Sequence, residues 1–221
     1  MSRVPTPQPD GGGPRWYGLY PALVRDLVDP EQRGRIRVSF PMFGDTEVSA
    51  WATLLAPCAD DGYGFEVLPE VDSQVVVGFE AGDPARPYIV GACWNGQRAL
   101  PEPAAQTNHL RTWRSRSGSQ LQFDDTPGAA KVTLAMDSGH KLVLDDAAQE
   151  VLVEHANGCS LKINVAGQIQ IMANATVEIT ASSVNVHAPT VNCDGIVQCT
   201  TLIASAGVIS PSYTPGAGNV W

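Results

Sequence analysis

Between Asn157 and about Ser205, apolar residues recur in pairs two positions apart: Leu161/Ile163, Ile169/Ile171, Val177/Ile179, Val184/Val186, Val191/Cys193 and Val197/Cys199. A spacing of two puts both members of a pair on one face of a strand. The residues between pairs are Asn, Gly, Ala, Ser, Thr and Pro, which turn a chain without bulky side chains colliding. The step between pairs shortens from eight residues to seven, seven and six. This pattern predicts a ladder of short rungs over 158–205, a β-solenoid or β-prism in which each rung buries its apolar edge only against its neighbours. A longer repeat precedes it, with units opening at Gly118, Gly139 and Gly158, each reading as two alternating strands joined by a turn. Residues 118–157 are therefore expected to form a β-hairpin neck. Earlier still, five alternating or apolar runs separated by turn residues lie within 17–30, 34–44, 49–57, 73–84 and 86–96. Five strands in so short a stretch suit a small closed barrel such as an OB-fold over 16–97. Residues 1–15, rich in Pro and Gly, are expected as a flexible tail, and 98–117, with Pro101 and Pro103, as a linker.

Charge sharpens this division. The chain has 221 residues and a formal net charge of −9, which argues against nucleic acid as a partner, since a basic face is the usual footprint there. From Asn157 to Trp221 the only residues charged at neutral pH are Lys162, Glu178 and Asp194. A solvated domain carries roughly a quarter of its residues as Asp, Glu, Lys or Arg. Recurrent β-branched pairs argue against disorder, so the low charge points to a segment shared between chains. A single ribbon of rungs would leave its apolar face and strand edges open. No apolar run is long enough to span a membrane and no signal-peptide pattern is present. The five cysteines form no CxxC pair, which fits buried thiols assembled in a reducing compartment.

The segments YPALVRDLVDPEQRGRIRVSFP, WATLLAP, LPEVDSQVVVGFEAGDPARPYIVG and the closing WNG resemble the OB domain of the phage baseplate assembly protein V and VgrG spike family, the central spikes of contractile injection machines. The resemblance covers roughly residues 17–96. It implies an all-β homotrimer, with an N-terminal OB-fold barrel followed by a C-terminal intertwined triple-stranded β-helix (β-prism) needle. The pairs named above would form the trimer core: Leu161, Ile163, Ile169, Ile171, Val177, Ile179, Val184, Val186, Val191, Cys193, Val197 and Cys199. It further implies a separate hub protein at the barrel end, because only about 16 residues precede the barrel. The 98–117 stretch is too short to hold the lysozyme domain that some spikes carry. Inner-tube and baseplate components would be met indirectly and a target membrane transiently. Assembly would occur in the bacterial cytoplasm, as part of a phage tail or of a tail-like particle released outside the cell. The implied role is mechanical rather than enzymatic.

Residues 206–221 lose the rung pattern and contain Tyr213 and Trp221. An open ring of strand edges needs a cover. In the spike family a PAAR-like tip protein provides it, which makes Tyr213 and Trp221 the candidate docking residues; the alternative is a tail that folds back as the cap.

Candidate chemistry elsewhere is sparse. Glu70 with Asp72, and Glu80 with Asp83, have no nucleophile setting beside them and read as loop rims. The Asp124-Asp125 and Asp145-Asp146 turns lack the spacing of a Ca²⁺ loop. His109, His140, His155 and His187 share no metal-ligand spacing, although a three-fold axis would gather copies of His187, Cys193 or Cys199. Arg111, Arg114 and Arg116 could meet an acidic partner or balance the acidic turns. No catalytic residue, cofactor or metal is expected. Two rival readings are a trimeric β-helical tail fibre or adhesin, which needs an exposed binding head, and a polysaccharide-degrading tailspike, which needs paired carboxylates in a groove. Within the rungs only Glu178 and Asp194 are acidic.

Overall fold

A computed structural model describes residues 15–44 and 48–210 and divides the chain into two units, Met1–Asn174 and Ala175–Trp221. Apart from Arg15, the expected 1–15 tail lies outside the described residues. The first unit opens with strands β1 (Leu19–Asp26), β2 (Arg35–Ser39), β3 (Ser49–Leu54), β4 (Ala59–Asp60), β5 (Tyr63–Gly64), β6 (Gln74–Phe79) and β7 (Pro87–Ala92). Five of them close into a barrel in the order β1-β2-β3-β7-β6, with β6 pairing back to β1 and β3 parallel to β7. Strands β4 and β5 form a separate two-stranded hairpin.

Alternation in these strands is what fills the barrel. Ala22 and Val24 from β1, Ile36 and Val38 from β2, Ala52 from β3, Val75 and Val77 from β6, and Ile89 from β7 point inward with Phe40. Each such aliphatic or aromatic side chain contributes about 1.5–3 kcal/mol on burial. Val75, Val76 and Val77 read as one continuous buried run, but Val76 is only half-buried, and a bulge separates it from Val77. Trp16, Tyr20, Phe43 and Phe79 pack around Phe40 with ring centroids 4.6–6.0 Å apart, extending the core with aromatic contacts. Gly82 beside them has φ +79°, and a Cβ there would lie 2.9 Å from the Tyr17 ring, so both backbone and space demand glycine.

One polar group is built into the barrel. The Asp29 carboxylate accepts from Arg35 Nε at 2.8 Å and from the other end of the guanidinium at 2.9 Å. It also accepts from the backbone N–H groups of Glu31 and Arg33 at 3.0 Å. Asp29 is 7% exposed, and this set of donors ties the whole β1–β2 loop to one side chain.

The rest of the first unit is a seven-stranded antiparallel meander: β8 (Leu110–Arg114), β9 (Gln120–Asp124), β10 (Lys131–Ala135), β11 (Lys141–Asp145), β12 (Glu150–Glu154), β13 (Ser160–Ile163) and β14 (Ile169–Met172). Two expected boundaries move. The 98–117 linker contains β8, because HLRTWR carries its own alternation and pairs with β9 from Leu110 to Arg114. The sheet also runs on past Asn157 through β13 and β14, joining Leu161, Ile163, Ile169 and Ile171 to the neck hairpins rather than to the rungs that follow. The 19- to 21-residue repeat has a local cause. Ser115, Met136 and His155 each accept from the N–H three residues on, at Gly118, Gly139 and Gly158, and donate to the carbonyl four residues on. All three glycines have φ between +88° and +97°, the left-handed position that closes such a hairpin turn.

The guanidinium of Arg35, with the three loop N–H groups, holds the Asp29 carboxyl well below the usual carboxylate range against the opposing effect of burial. A depressed folded pKa means that this stabilisation is present above the unfolded value of about 3.9 and is lost as pH falls toward the folded one. Asp29→Asn is expected to lower the barrel's Tm at pH 7. The gap between variant and wild type should narrow when melts are repeated at pH 3.

Candidate functional site

All of the buried apolar residues among those described belong to the barrel; the seven-stranded sheet contributes none. Its register explains what it has instead. Leu121, Leu134, Leu142, Val153, Leu161 and Ile171 stand opposite one another across six strands, beginning beside Trp113. A second row, Phe123, Val132, Leu144, Val151, Ile163 and Ile169, runs parallel to it two residues along each strand. Because alternate residues share a face, both rows lie on the same side of the sheet. This makes an apolar strip two residues wide and six strands long. Among the described residues nothing buries it, and Phe123, Leu134, Leu144, Val153, Ile169 and Ile171 are exposed.

The opposite face mixes Val143 and Leu152 with charged and polar residues that are largely paired. Lys141 pairs with Glu154 at 3.2 Å, Lys162 with Glu150 at 2.5 Å and Gln122 with Thr112 at 2.9 Å. Charge on one face and apolar rows on the other give the sheet a defined inside and outside.

In the second unit, residues 175–210 are exposed throughout and form no strand. Among the described residues there is no backbone hydrogen bond within this stretch. The backbone nevertheless bends at Ser182, Pro189, Gly195, Thr200 and Ser205–Ala206. Each extended piece between bends carries one pair: Val177/Ile179, Val184/Val186, Val191/Cys193 or Val197/Cys199. The pair positions are the less exposed ones, with Val177 at 55% and Val184 at 58%, whereas Ile196 at 97% and Ile203 at 90% point away. The piece between Thr200 and Ser205 carries Leu202 in the same place, a rung residue that a continued short step from Val197 signals. Cys193 and Cys199 are exposed thiols in the single chain.

Other candidates resolve into local structure. Arg114 reaches Glu102 at 2.7 Å and the Pro101 carbonyl at 2.8 Å, Arg116 reaches Glu70 at 3.0 Å, and Arg111 donates to the Asn108 and Leu110 carbonyls. The basic cluster is thus engaged within the chain. Asp72 pairs with Arg25 at 2.7 Å, and Glu80 with Arg86 at 3.2 Å. Asp124 accepts from the hydroxyl and backbone N–H of Thr126, which hold its carboxyl below its ordinary range. Asp145 accepts from the Ala148 N–H at 2.8 Å. Both are turn-forming aspartates. Among the described residues no group of three or more His, Cys, Asp or Glu is placed to hold a metal ion. Tyr213 and Trp221 lie outside the described residues.

The comparisons with known proteins bear first on the barrel. Residues 20–94 match the family model of the Type VI secretion system/phage-baseplate injector OB domain. The type VI secretion system spike protein VgrG4b of Pseudomonas aeruginosa is 29% identical over 133 residues, 54% of this chain and 16% of its own length. VgrG1a of the same species is 27% identical over 134 residues, 55% of this chain and 21% of its own. The actin cross-linking toxin VgrG1 of Vibrio cholerae serotype O1 is 27% identical over 146 residues, 59% of this chain and 13% of its own. The chain thus spans about a fifth or less of these relatives. Residues 20–94 thus contain the closed barrel where the family model matches, and over somewhat more than half of its length the chain is similar to VgrG-type spike proteins.

Neighbouring positions on opposite faces of β14 separate the sheet's two sides. Ile171→Glu is expected to reduce self-association at least tenfold, because it places a charge on the uncovered strip. Gln170→Glu, equally exposed in the chain, should leave association within twofold of wild type. Sedimentation velocity over a concentration series measures both.

Proposed function

We propose that this chain is the central spike of a contractile injection system: a homotrimer whose barrel is an OB collar and whose C-terminal rungs form an intertwined triple-stranded β-helix that punctures a cell envelope. The observation that carries the proposal is the coincidence, among the described residues, of an apolar strip left exposed and rungs over 175–209 that make no backbone hydrogen bond. Buried backbone groups are paired almost without exception, and a strip of this kind in water invites aggregation. Other copies of the chain answer both needs at once.

Geometry favours three copies over four. A five-residue strand is about 17 Å long, and packed sheets stand about 10 Å apart, so side chains reach about 5 Å from their sheet. Three such sheets arranged as a triangular prism lie about 5 Å from the axis, whereas four would leave an axial void. Two copies would also close the strip, as a sandwich, but would leave rungs that bend every five to seven residues without a three-sided course to follow. Burying the remaining half of a dozen strip residues is worth about 1 kcal/mol each, comparable with the 4–15 kcal/mol that association costs.

The same arrangement suits a mechanical role. Interchain winding means that many backbone hydrogen bonds and apolar contacts must break together, which raises the barrier to unfolding under load. A segment with so few charges also lowers the desolvation cost of entering lipid. The trimer-core residues of the rungs are Val177, Ile179, Val184, Val186, Val191, Cys193, Val197 and Cys199, joined by Leu202, while Leu161, Ile163, Ile169 and Ile171 line the strip. A separate hub protein at the barrel end, a PAAR-like tip protein docked on Tyr213 and Trp221, tube and baseplate neighbours, and passage from the bacterial cytoplasm into a phage tail-like particle complete the proposal.

The native mass tests it. A species of about 70 kDa, three times the 23.4 kDa chain, that survives mild SDS without boiling is expected. A dissociable monomer would overturn the reading. Val177→Asp or Val184→Asp would set three like charges near the axis and is expected to abolish the trimer.

A further inference from the structure

The two long borders of the sheet differ in chemistry, and the difference is complementary. On one border the β9–β10 and β11–β12 turns present Asp125, Asp145 and Asp146. On the other, the β10–β11 and β12–β13 turns bring His140 and His155 together, with ring centroids 4.2 Å apart. Strand alternation places His140 on the same face as Leu142, and Asp146 on the same face as Leu144. The ladder holds at both ends, since Met136 N–H donates to His140 O at 2.9 Å and Asp146 N–H to Ala130 O at 3.0 Å. β11 therefore carries the apolar strip in its middle, an imidazole pair at one end and a carboxylate at the other. Asp146 has no side-chain partner among the described residues. The His155 ring is held by Asn157 Oδ1 at 2.8 Å, and His140 Nδ1 accepts from the Ala156 N–H at 3.3 Å.

We propose that Asp146 of one copy contacts the His140/His155 pair of the next, so that the borders of the sheet close a ring of three identical interchain contacts. The inference rests on the trimeric reading and specifies which edge of each copy meets which. A cyclic three-fold operation moves no point along its axis, so with the apolar rows parallel to that axis the two ends of β11 stand level. Two acidic borders would repel, whereas the His140 ring, whose Nδ1 accepts from the Ala156 N–H, leaves an Nε2–H free to donate to the carboxylate of the next copy. The contact is heterologous and closes with the third copy, which selects a ring over an open stack.

The test uses the full chain. In His140→Cys/Asp146→Cys, a short bis-maleimide is expected to give covalent dimers and trimers on denaturing gels. Each single variant reports the background from the five native cysteines. As a second measurement, Asp146→Lys is expected to raise the dissociated fraction at least fivefold, and adding His140→Asp to restore it. A trimer by native mass with no ladder above background and no response to Asp146→Lys would overturn the border contact while leaving the trimeric spike intact. A monomer would overturn both.

Discussion

The constraint on which the rest depends is that residues 110–210, close to half of the chain, bury none of their apolar side chains among the described residues. The barrel buries nine apolar residues and pairs its strands into a closed ring. The meander pairs its strands but buries none of its apolar rows, and among the described residues the rungs of 175–209 make no backbone hydrogen bond. Under the proposed trimeric reading, the chain passes from a barrel that folds locally, through a sheet that needs a cover, to rungs that need partner strands. That gradient suits a spike: a collar that positions the chains, then a shaft stabilised by assembly.

The barrel and the sheet are also joined by contacts that set where the shaft begins. Phe65, after the small β4–β5 hairpin, packs on Trp113 of β8 at 5.8 Å, and Arg116 beyond β8 reaches Glu70 of the barrel loop. Of the three arginines that look free in the sequence, Arg116 ties the sheet to the barrel loop through Glu70, Arg114 holds Pro101 and Glu102 against the sheet, and Arg111 closes its own turn on the Asn108 and Leu110 carbonyls. The exposed ion pairs among them contribute little stability individually; their value lies in the register they give to Trp113, the first member of the apolar strip.

The five barrel strands were legible because Ile36/Val38/Phe40 and the runs around Val75 and Ile89 alternate or cluster between turn residues. The apolar pairs of 175–205 stand out in the sequence because they recur in a stretch whose only charged residues are Glu178 and Asp194, whereas the described residues form no strand there. Strand β8 was hidden by Pro101, Pro103 and the arginines, which make its surroundings read as a linker. The neck's share of the strip, Leu134, Leu142, Leu144 and Val153, was passed over for a physical reason. Lys131, Lys141, Glu150 and Glu154 occupy the other face of the same strands, and their charges drew the boundary at Asn157 although the inner face is continuous. The Asp29–Arg35 clamp and the His140–His155 contact join residues whose proximity follows from loop closure and cross-strand register, which no spacing rule reports.

Amide hydrogen exchange across residues 175–210 of the assembled protein tests the central claim most directly. Among the described residues the amides of 175–209 make no backbone hydrogen bond, so strong protection there is the signature expected of pairing between copies. The account predicts exchange as slow as in the barrel strands β1 and β6. Complete exchange of this segment within seconds, while the barrel stays protected, would contradict it.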